Sequence, residues 1–456
     1  MRTRPSALLA PLAALAIAGL PGVSLAAEVR TLTLDEALRL LDAQSPALAQ
    51  ARGRVDEARA VVGLATAPLL PTLGVSGAYT RNNAAAEISI AEILVPIEQG
   101  LSQATGRPVT FDRSRLPGAT VIQPLESFSA AAALRVPLFS AHAWKDRAAA
   151  LSAADATEAS VEAIRRGLRS ALVEAAWWSA AVEEVVEASQ KAVHAAGEHR
   201  ASALRRVEAG LAPPLAGLQA ETDLVQRESD LVDAAAARDR AWLALGVLLG
   251  APEPVRVALP EDPLALAGDP ETLVAEALAA RPELRARAAA VEAARAQVES
   301  AWWRLAPGLS ANLSGVASSV AFPTGDQTGW RATLDLQWAL YDGGFRSARR
   351  RQAEAALAIA EAGLQAERLQ ITREVLDALR EVEVSRERLR LAVRQRELAA
   401  EASSSASRSF EAGLTGSLDA LDANLRIWQA SVGLARTKAR VGVAFTGLER
   451  AIGRAR

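Results

Sequence analysis

Cysteine is absent from the 456 residues, and the only methionine is Met1. The first absence excludes disulfides, thiolate metal sites, a cysteine nucleophile and an N-terminal lipid-bearing cysteine. Neither sign of charge dominates: the formal net charge is -2, which argues against a nucleic-acid partner. No HExxH, GxSxG or GxxxxGK(S/T) pattern occurs, so nothing recommends a zinc protease, a serine hydrolase or a phosphate-binding loop. Histidine is scarce; His194 and His199 stand at i and i+5, a poor spacing for a shared metal on a helix, and with His142 they read as surface or packing residues. No enzymatic activity, metal or cofactor is expected. Long hydrophobic runs are missing too. Beyond the N-terminal segment the best is WLALGVLLGAP from Trp242, far short of the roughly 20 residues of a membrane helix. With 23% charged and 50% hydrophobic residues the chain is nevertheless not a disordered one.

The N-terminus carries a targeting pattern. Arg2 and Arg4 precede the apolar ALLAPLAALAIAGL, and Ser24-Leu25-Ala26 fits a small-x-small cleavage site. Residues 1–26 are expected to be a signal peptide; losing its two arginines takes the formal charge from -2 to -4. An exported chain with no membrane helix is periplasmic, secreted or an outer-membrane barrel.

The remainder reads as an internal duplication. Val207-Glu208-Ala209-Gly210-Leu211 matches Phe410-Glu411-Ala412-Gly413-Leu414 at an offset of 203, and RVPLFSAHAW from Arg135 matches QWALYDGGFR from Gln337 at 202. Further upstream, SPALAQARGRVDEAR from Ser45 matches RPELRARAAAVEAAR from Arg281 at 236, because an insert, Asn83 to Ser127, lies in the first copy. Residues 27–250 are expected to form the first repeat, 251–271 a linker and 272–456 the second.

Each copy has the same expected order. A helical stretch, Ser45 to Leu69 or Pro282 to Leu305, ends at a proline. Two alternating segments follow: TLGVSGAYT from Thr72 and FSAAAALRVPLF from Phe128, or LSANLSGVASSV from Leu309 and WRATLDLQWALY from Trp330. In the last, Trp330, Ala332, Leu334, Leu336, Trp338 and Leu340 face one side, and Arg331, Thr333, Asp335 and Gln337 the other. Apolar-out, polar-in alternation over about 10 residues is the signature of a membrane β-strand. Proline-free stretches rich in Ala, Leu, Glu and Arg, about Ala141 to Val207 and Phe345 to Phe410, then predict helices of roughly 100 Å each. Helices of that length need other helices to pack on, as in a coiled coil. A glycine break reverses the chain into return helices, Pro213 to Leu249 and Ser417 to Ile452. The insert contains AEISIAEILVPIEQGLSQ, which could form a short amphipathic helix.

About four membrane strands cannot close a barrel, since the smallest need about eight, and open edges are not tolerated in lipid. Oligomerisation follows from the strand count. If the strands begin and end in the periplasm, Phe139, Trp144, Trp302, Trp303, Trp338 and Tyr341 fall at the periplasmic membrane edge, and Tyr79, Phe128 and Trp330 at the outer edge. That would make two aromatic girdles; the bland alternative is ordinary core aromatics at element ends.

Taken in order, LTLDEALRLLDAQSPALAQA, WALYDGGFRSA and RSFEAGLTGSLDALDA resemble the TolC-like outer membrane efflux protein family, over essentially the whole chain after the signal. The fold class implied is mainly α with membrane β: a long α-helical coiled-coil tunnel, plus four strands per chain completing a trimeric, twelve-stranded outer-membrane β-barrel. The resemblance further implies an exit duct of a tripartite efflux pump or type I secretion system, lodged in outer-membrane lipid and extending into the periplasm. It would dock a periplasmic adaptor at the helix-turn tips and take its driving force from an inner-membrane transporter of RND, ABC or MFS type. Two departures stand out: PLFSAHAW lacks the Gly343-Gly344 pair of the second junction, and the first tip has Pro213, Pro214 and Ala216 where the family often has polar and acidic residues.

The tip turns, with Gly210, Leu211, Gly413, Leu414 and Ser417, are helix reversals in any case; adaptor docking there rests on the resemblance. Asp419 and Asp422 share one helix face. They could simply favour the helix dipole, yet the first copy has Ala216 and Gln219 at the matching positions. In a trimer they would stack as two carboxylate rings that favour cations, and the resemblance places the matching aspartates at the periplasmic entrance constriction. A soluble periplasmic coiled-coil scaffold, whose strands pair in solution, is the competing reading; the alternating strands argue against it.

Overall fold

The computed structural model describes residues 29–115, 118–260, 268–321 and 325–454. The expected signal peptide lies outside them, as do residues 261–267 of the expected linker. The elements run β1 (Arg30–Thr33), α1 (Leu34–Gln44), α2 (Pro46–Thr66), β2 (Thr72–Arg81), β3 (Ala86–Ile88), α3 (Ile90–Thr105), β4 (Thr120–Gln123), β5 (Glu126–Phe139), α4 (Ala141–Glu208), α5 (Pro214–Leu249), β6 (Val255–Ala258), α6 (Pro270–Ala280), α7 (Pro282–Trp303), β7 (Gly308–Ser318), β8 (Thr328–Gln337), α8 (Phe345–Glu411) and α9 (Ser417–Ile452). The order helix, strands, long helix, 36-residue helix occurs twice. Two compact units result, each drawing on both halves of the sequence. The first comprises the chain to Ala49, Arg165–Leu273 and Glu374–Arg456, and the second Gln50–Ile164 and Val274–Arg373.

In the second unit an antiparallel sheet runs in the order β2-β5-β7-β8. Its register sorts side chains by face. Leu73, Val75, Tyr79, Phe128, Leu313, Trp330, Leu334 and Leu336 fall on one face, and all are exposed. Thr72, Ser76, Arg135, Asn312, Thr333 and Asp335 fall on the other. The alternation follows from the two-residue period of a strand. Among the described residues β2 and β8 are paired on one side only, so both sheet edges are open.

β8 stops earlier than its alternating sequence suggests. Gln337 opposite Gly308 is the last pair, and the residue before Gly308 is Pro307, which has no N–H to extend the ladder. Trp338 and Leu340 therefore leave the strand, and the Trp338 indole donates to the Leu305 carbonyl at 3.0 Å. The passage from β8 into α8 is closed by Asp342, which accepts from the backbone N–H of Gly344 (3.1 Å) and Arg346 (3.0 Å) and from the Arg346 guanidinium (2.6 Å). Those bonds, the Arg346 side chain first, hold its carboxyl below the usual carboxylate range. The first copy makes the same passage through Ser140 alone. The start of α4 is pinned to the end of α7 by Asp146, which accepts from Arg304 (2.8 Å) and from the Ser300 hydroxyl. The insert folds as the β3–β4 hairpin carrying α3, whose Glu98 accepts from the Phe111 amide (2.6 Å) and from Arg113.

The first unit holds an element absent from the sequence reading: β1 pairs in parallel with β6. Thr33 and Glu36 form a reciprocal capping box that starts α1 directly after β1. Leu38 and Leu41 of α1 then pack with Leu172 of α4, Leu245 and Leu249 of α5, and Val255 and Val257 of β6. Each buried Leu contributes about 1.5–3 kcal/mol. Asp42, on the same helix, accepts from Arg165 at 2.9 and 2.7 Å and from Arg169. Along the helices the buried positions are largely alanine, among them Ala176, Ala196, Ala220, Ala430, Ala435 and Ala439. Small side chains let helix axes approach closely. At Gly442 the approach is extreme, since a Cβ there would lie 2.1 Å from the Trp177 ring.

Candidate functional site

Both helix reversals lie in the first unit and share one geometry. Gly210 has φ 73° and Gly413 φ 78°. The Leu211 amide reaches back to the Arg206 carbonyl and the Leu414 amide to the Ser409 carbonyl, each at 2.8 Å. This six-to-one closure with a left-handed glycine ends a helix whose last carbonyls would otherwise go unpaired. Leu211 is 69% exposed and Leu414 79%, so each turn offers one apolar side chain to its surroundings.

Ser417 behaves differently from the other tip residues. Gly416 occupies the cap position, and Ser417 is the first helical residue, buried, with its hydroxyl 3.0 Å from His199 Nε2. The His199 ring meets Phe410 in a tilted contact, centroids 4.7 Å apart, and Phe410 is itself buried with Ala203, Ala220 and Ala420. Arg206 donates through one Nη to the carbonyls of Phe410 (2.9 Å) and Glu411 (3.1 Å) and lies over the Phe410 ring at 5.2 Å. The end of α4 is thus tied to the turn between α8 and α9. Burial lowers the His199 pKa, while the Asp223 carboxylate works in the opposite direction.

Sequence reasoning missed His199 and Arg206 as tip residues. The signal was present in the repeat: at the offset of 203, the second copy has Ala402 and Ser409 instead. Asp419 and Asp422 both lie exposed in the first two turns of α9. Asp419 has no hydrogen-bond or ion-pair partner among the described residues. Asp422 pairs with Arg426 at 2.8 Å, a cation one turn further on that offsets part of its charge.

The aromatics of the second unit form local pairs. Tyr79 and Phe128 face each other across β2 and β5 with ring centroids 4.8 Å apart. Trp330 shares their face but is not brought beside them: it opposes Gly315, which opposes Ala132, four residues along β5 from Phe128. Phe139 meets Trp144 edge-on at 5.6 Å, and Trp302 meets Trp303 at 6.2 Å. Trp338 and Tyr341 follow the end of β8 and are 58% and 88% exposed. Among the described residues no group of His, Asp and Glu could hold a metal ion, and no helix is long and apolar enough to cross a membrane.

Solved structures share this fold. A membrane protein from Pseudomonas aeruginosa superposes with a TM-score of 0.73 at 21% identity, covering 92% of this chain and 93% of its own. The outer membrane protein VceC of Vibrio cholerae gives 0.71 at 19%, over 92% and 96%. The CmeC outer membrane channel of Campylobacter jejuni gives 0.73 at 17%, over 92% and 85%. Among curated proteins none matches the sequence. The sequence pattern of the outer membrane efflux protein family matches residues 37–251 and 273–454. A match over most of the chain, on a fold with a four-stranded antiparallel sheet and two long helices, makes this protein a member of the outer membrane efflux protein family, whose proteins are channels and not enzymes.

Proposed function

We propose that the chain is the outer-membrane exit duct of a tripartite efflux pump or type I secretion system, working as a homotrimer. Three four-stranded sheets join edge to edge, β2 of one protomer beside β8 of the next, and close a barrel of about twelve strands. The helices of three protomers continue as a tunnel in the periplasm. The tip turns at Gly210–Leu211 and Gly413–Leu414 dock a periplasmic adaptor, and an inner-membrane transporter of RND, ABC or MFS type supplies the energy. The duct itself is passive. Asp419 and Asp422 ring its periplasmic entrance, and the aromatics flanking the sheet anchor it at the two membrane surfaces. The two halves of the chain descend from one duplicated unit.

The observation that carries this reading is the sheet: one face apolar and exposed, one polar, both edges unpaired. A soluble scaffold would leave Leu73, Val75, Leu334 and Leu336 in water, at 66–78% exposure. The absence of native cysteine offers a clean test. Single cysteines introduced along β2 and β8 should, on oxidation, give covalent dimers and trimers only when the two are combined, and the purified protein should conduct ions in planar bilayers. A folded monomer in detergent, with no conductance, would overturn the proposal.

A further inference from the structure

The polar face of the sheet is almost free of charge. By register it comprises Thr72, Gly74, Ser76, Ala78 and Thr80 of β2 and the alternate residues of β5, β7 and β8, among which only Arg135, Arg331 and Asp335 are charged. Arg135 stands in one row with Thr72, Asn312 and Thr333; Arg331 stands in the next, opposite Ser314. The two arginines are two strand spacings apart, about 10 Å, and offset by two residues, about 7 Å. Both are exposed, and neither has a hydrogen-bond or ion-pair partner among the described residues. Asp335 is occupied otherwise: it accepts from the Asn312 amide and from the Thr333 hydroxyl (3.1 Å). Around Arg135 the face is concave, a hollow of about 840 Å³ that Asn312, Asp335 and His142 also line.

We propose that Arg135 and Arg331 form a positively charged belt inside the barrel that favours anionic solutes. The inference rests on the reading that three sheets close with their polar faces inward. Closure would supply no countercharge, because the strand that then abuts β8 is β2, whose polar face carries only Thr, Gly, Ser and Ala. Each protomer therefore contributes two free cations and one hydrogen-bonded carboxylate. The neighbouring small residues leave the guanidinium groups reaching into the lumen. An ion there interacts with several fixed charges at once, through a confined water column and low-dielectric walls.

The test uses the full chain in planar bilayers, with hexacyanoferrate as a multivalent anion added to either chamber. Wild-type conductance should be blocked by it. In the R135Q/R331Q double variant the blocking concentration should rise on the order of tenfold, and the potassium-to-chloride permeability ratio should shift toward potassium. R135K/R331K, which keeps the charge, should behave as wild type. Should the glutamine variant not insert, D335N runs the test in the other direction: removing the only anion on the face should tighten the block. A wild-type protein that conducts no ions overturns the duct reading. A conducting wild type whose anion block is unchanged in R135Q/R331Q, or in D335N if that variant must be used, overturns the belt alone.

Discussion

His199 Nε2 lies 3.0 Å from Ser417 Oγ, so a buried histidine hydrogen bond at the tip joins α4 of the first half to the first residue of α9 in the second. The contact has a direct consequence for how firmly the second turn is held.

Arg206 is expected to carry more of that restraint than His199, because a charged donor serves two backbone carbonyls. Hydrogen bonds from charged groups contribute about 1.5–3 kcal/mol. Arg206→Ala should speed amide exchange at Gly413 and Leu414 on the order of tenfold or more, with little change at the sheet. Unaltered exchange would show that the glycine turn holds itself.

The tip should also loosen in mild acid. The His199 pKa is lowered in the fold by burial. A histidine depressed in this way stabilises the fold fully above its unfolded value of about 6.5 and loses that contribution as pH falls through it toward the lower folded value. Protection factors around Phe410 and Ser417, corrected for the pH dependence of intrinsic exchange, should therefore fall between pH 7.5 and 5.5 and stay flat in His199→Gln. A pH response that persists in the variant would assign it to another group.

For the sheet, neighbouring residues of β5 offer a paired experiment. Ala131 lies on the polar face and Ala132 on the apolar one, opposite Val75 and Gly315. Arginine on a lipid-facing position near the bilayer midplane costs about 2–4 kcal/mol. Ala132→Arg should lower the urea midpoint of the lipid-inserted protein by a corresponding amount, and Ala131→Arg far less. Equal effects would contradict a sheet with one face in lipid.

If Asp419 and Asp422 ring the entrance as proposed, Asp419→Asn should weaken cation selectivity and block by multivalent cations more than Asp422→Asn does, since Arg426 already offsets Asp422. Carboxylates acting only on the helix dipole would each cost about 0.3–1 kcal/mol of stability and leave conductance alone. Bilayer reversal potentials separate the two roles.

Asp42 should matter at neutral pH. The Arg165 hydrogen bonds, followed by Arg169, hold its carboxyl far below the usual carboxylate range despite the opposing effect of burial. A carboxylate depressed in this way stabilises the fold fully above its unfolded value of about 4 and loses that contribution progressively as pH falls from there through the lower folded value. Asp42→Asn should cost about 1.5–3 kcal/mol at pH 7, measured as a lower thermal midpoint by circular dichroism. The gap to wild type should narrow in strong acid.

Much of the architecture was legible in the amino-acid order because its signals are local. The long helices, expected from Ala141 to Val207 and Phe345 to Phe410, run Ala141–Glu208 and Phe345–Glu411. Proline-free, alanine-rich stretches closed by a left-handed glycine mark such ends within a turn. The strand faces were legible too, since a two-residue period depends only on the backbone. What depended on distant partners was not. β8 ends at Gln337 because Pro307, thirty residues earlier, denies Trp338 a ladder partner. β1 and β6, too short to carry a periodic signal, become strands only by pairing across more than two hundred residues. The tether from His199 and Arg206 to Ser417, Phe410 and Glu411 joins groups over 200 positions apart. By itself the sequence determined the helices, their reversals and the two-faced strands, through backbone periodicity and turn chemistry. Only the tertiary structure decided where a ladder stops, which arginines of the sheet stand unpaired and which histidine is buried, because those outcomes depend on side chains that the chain order keeps apart and packing brings together.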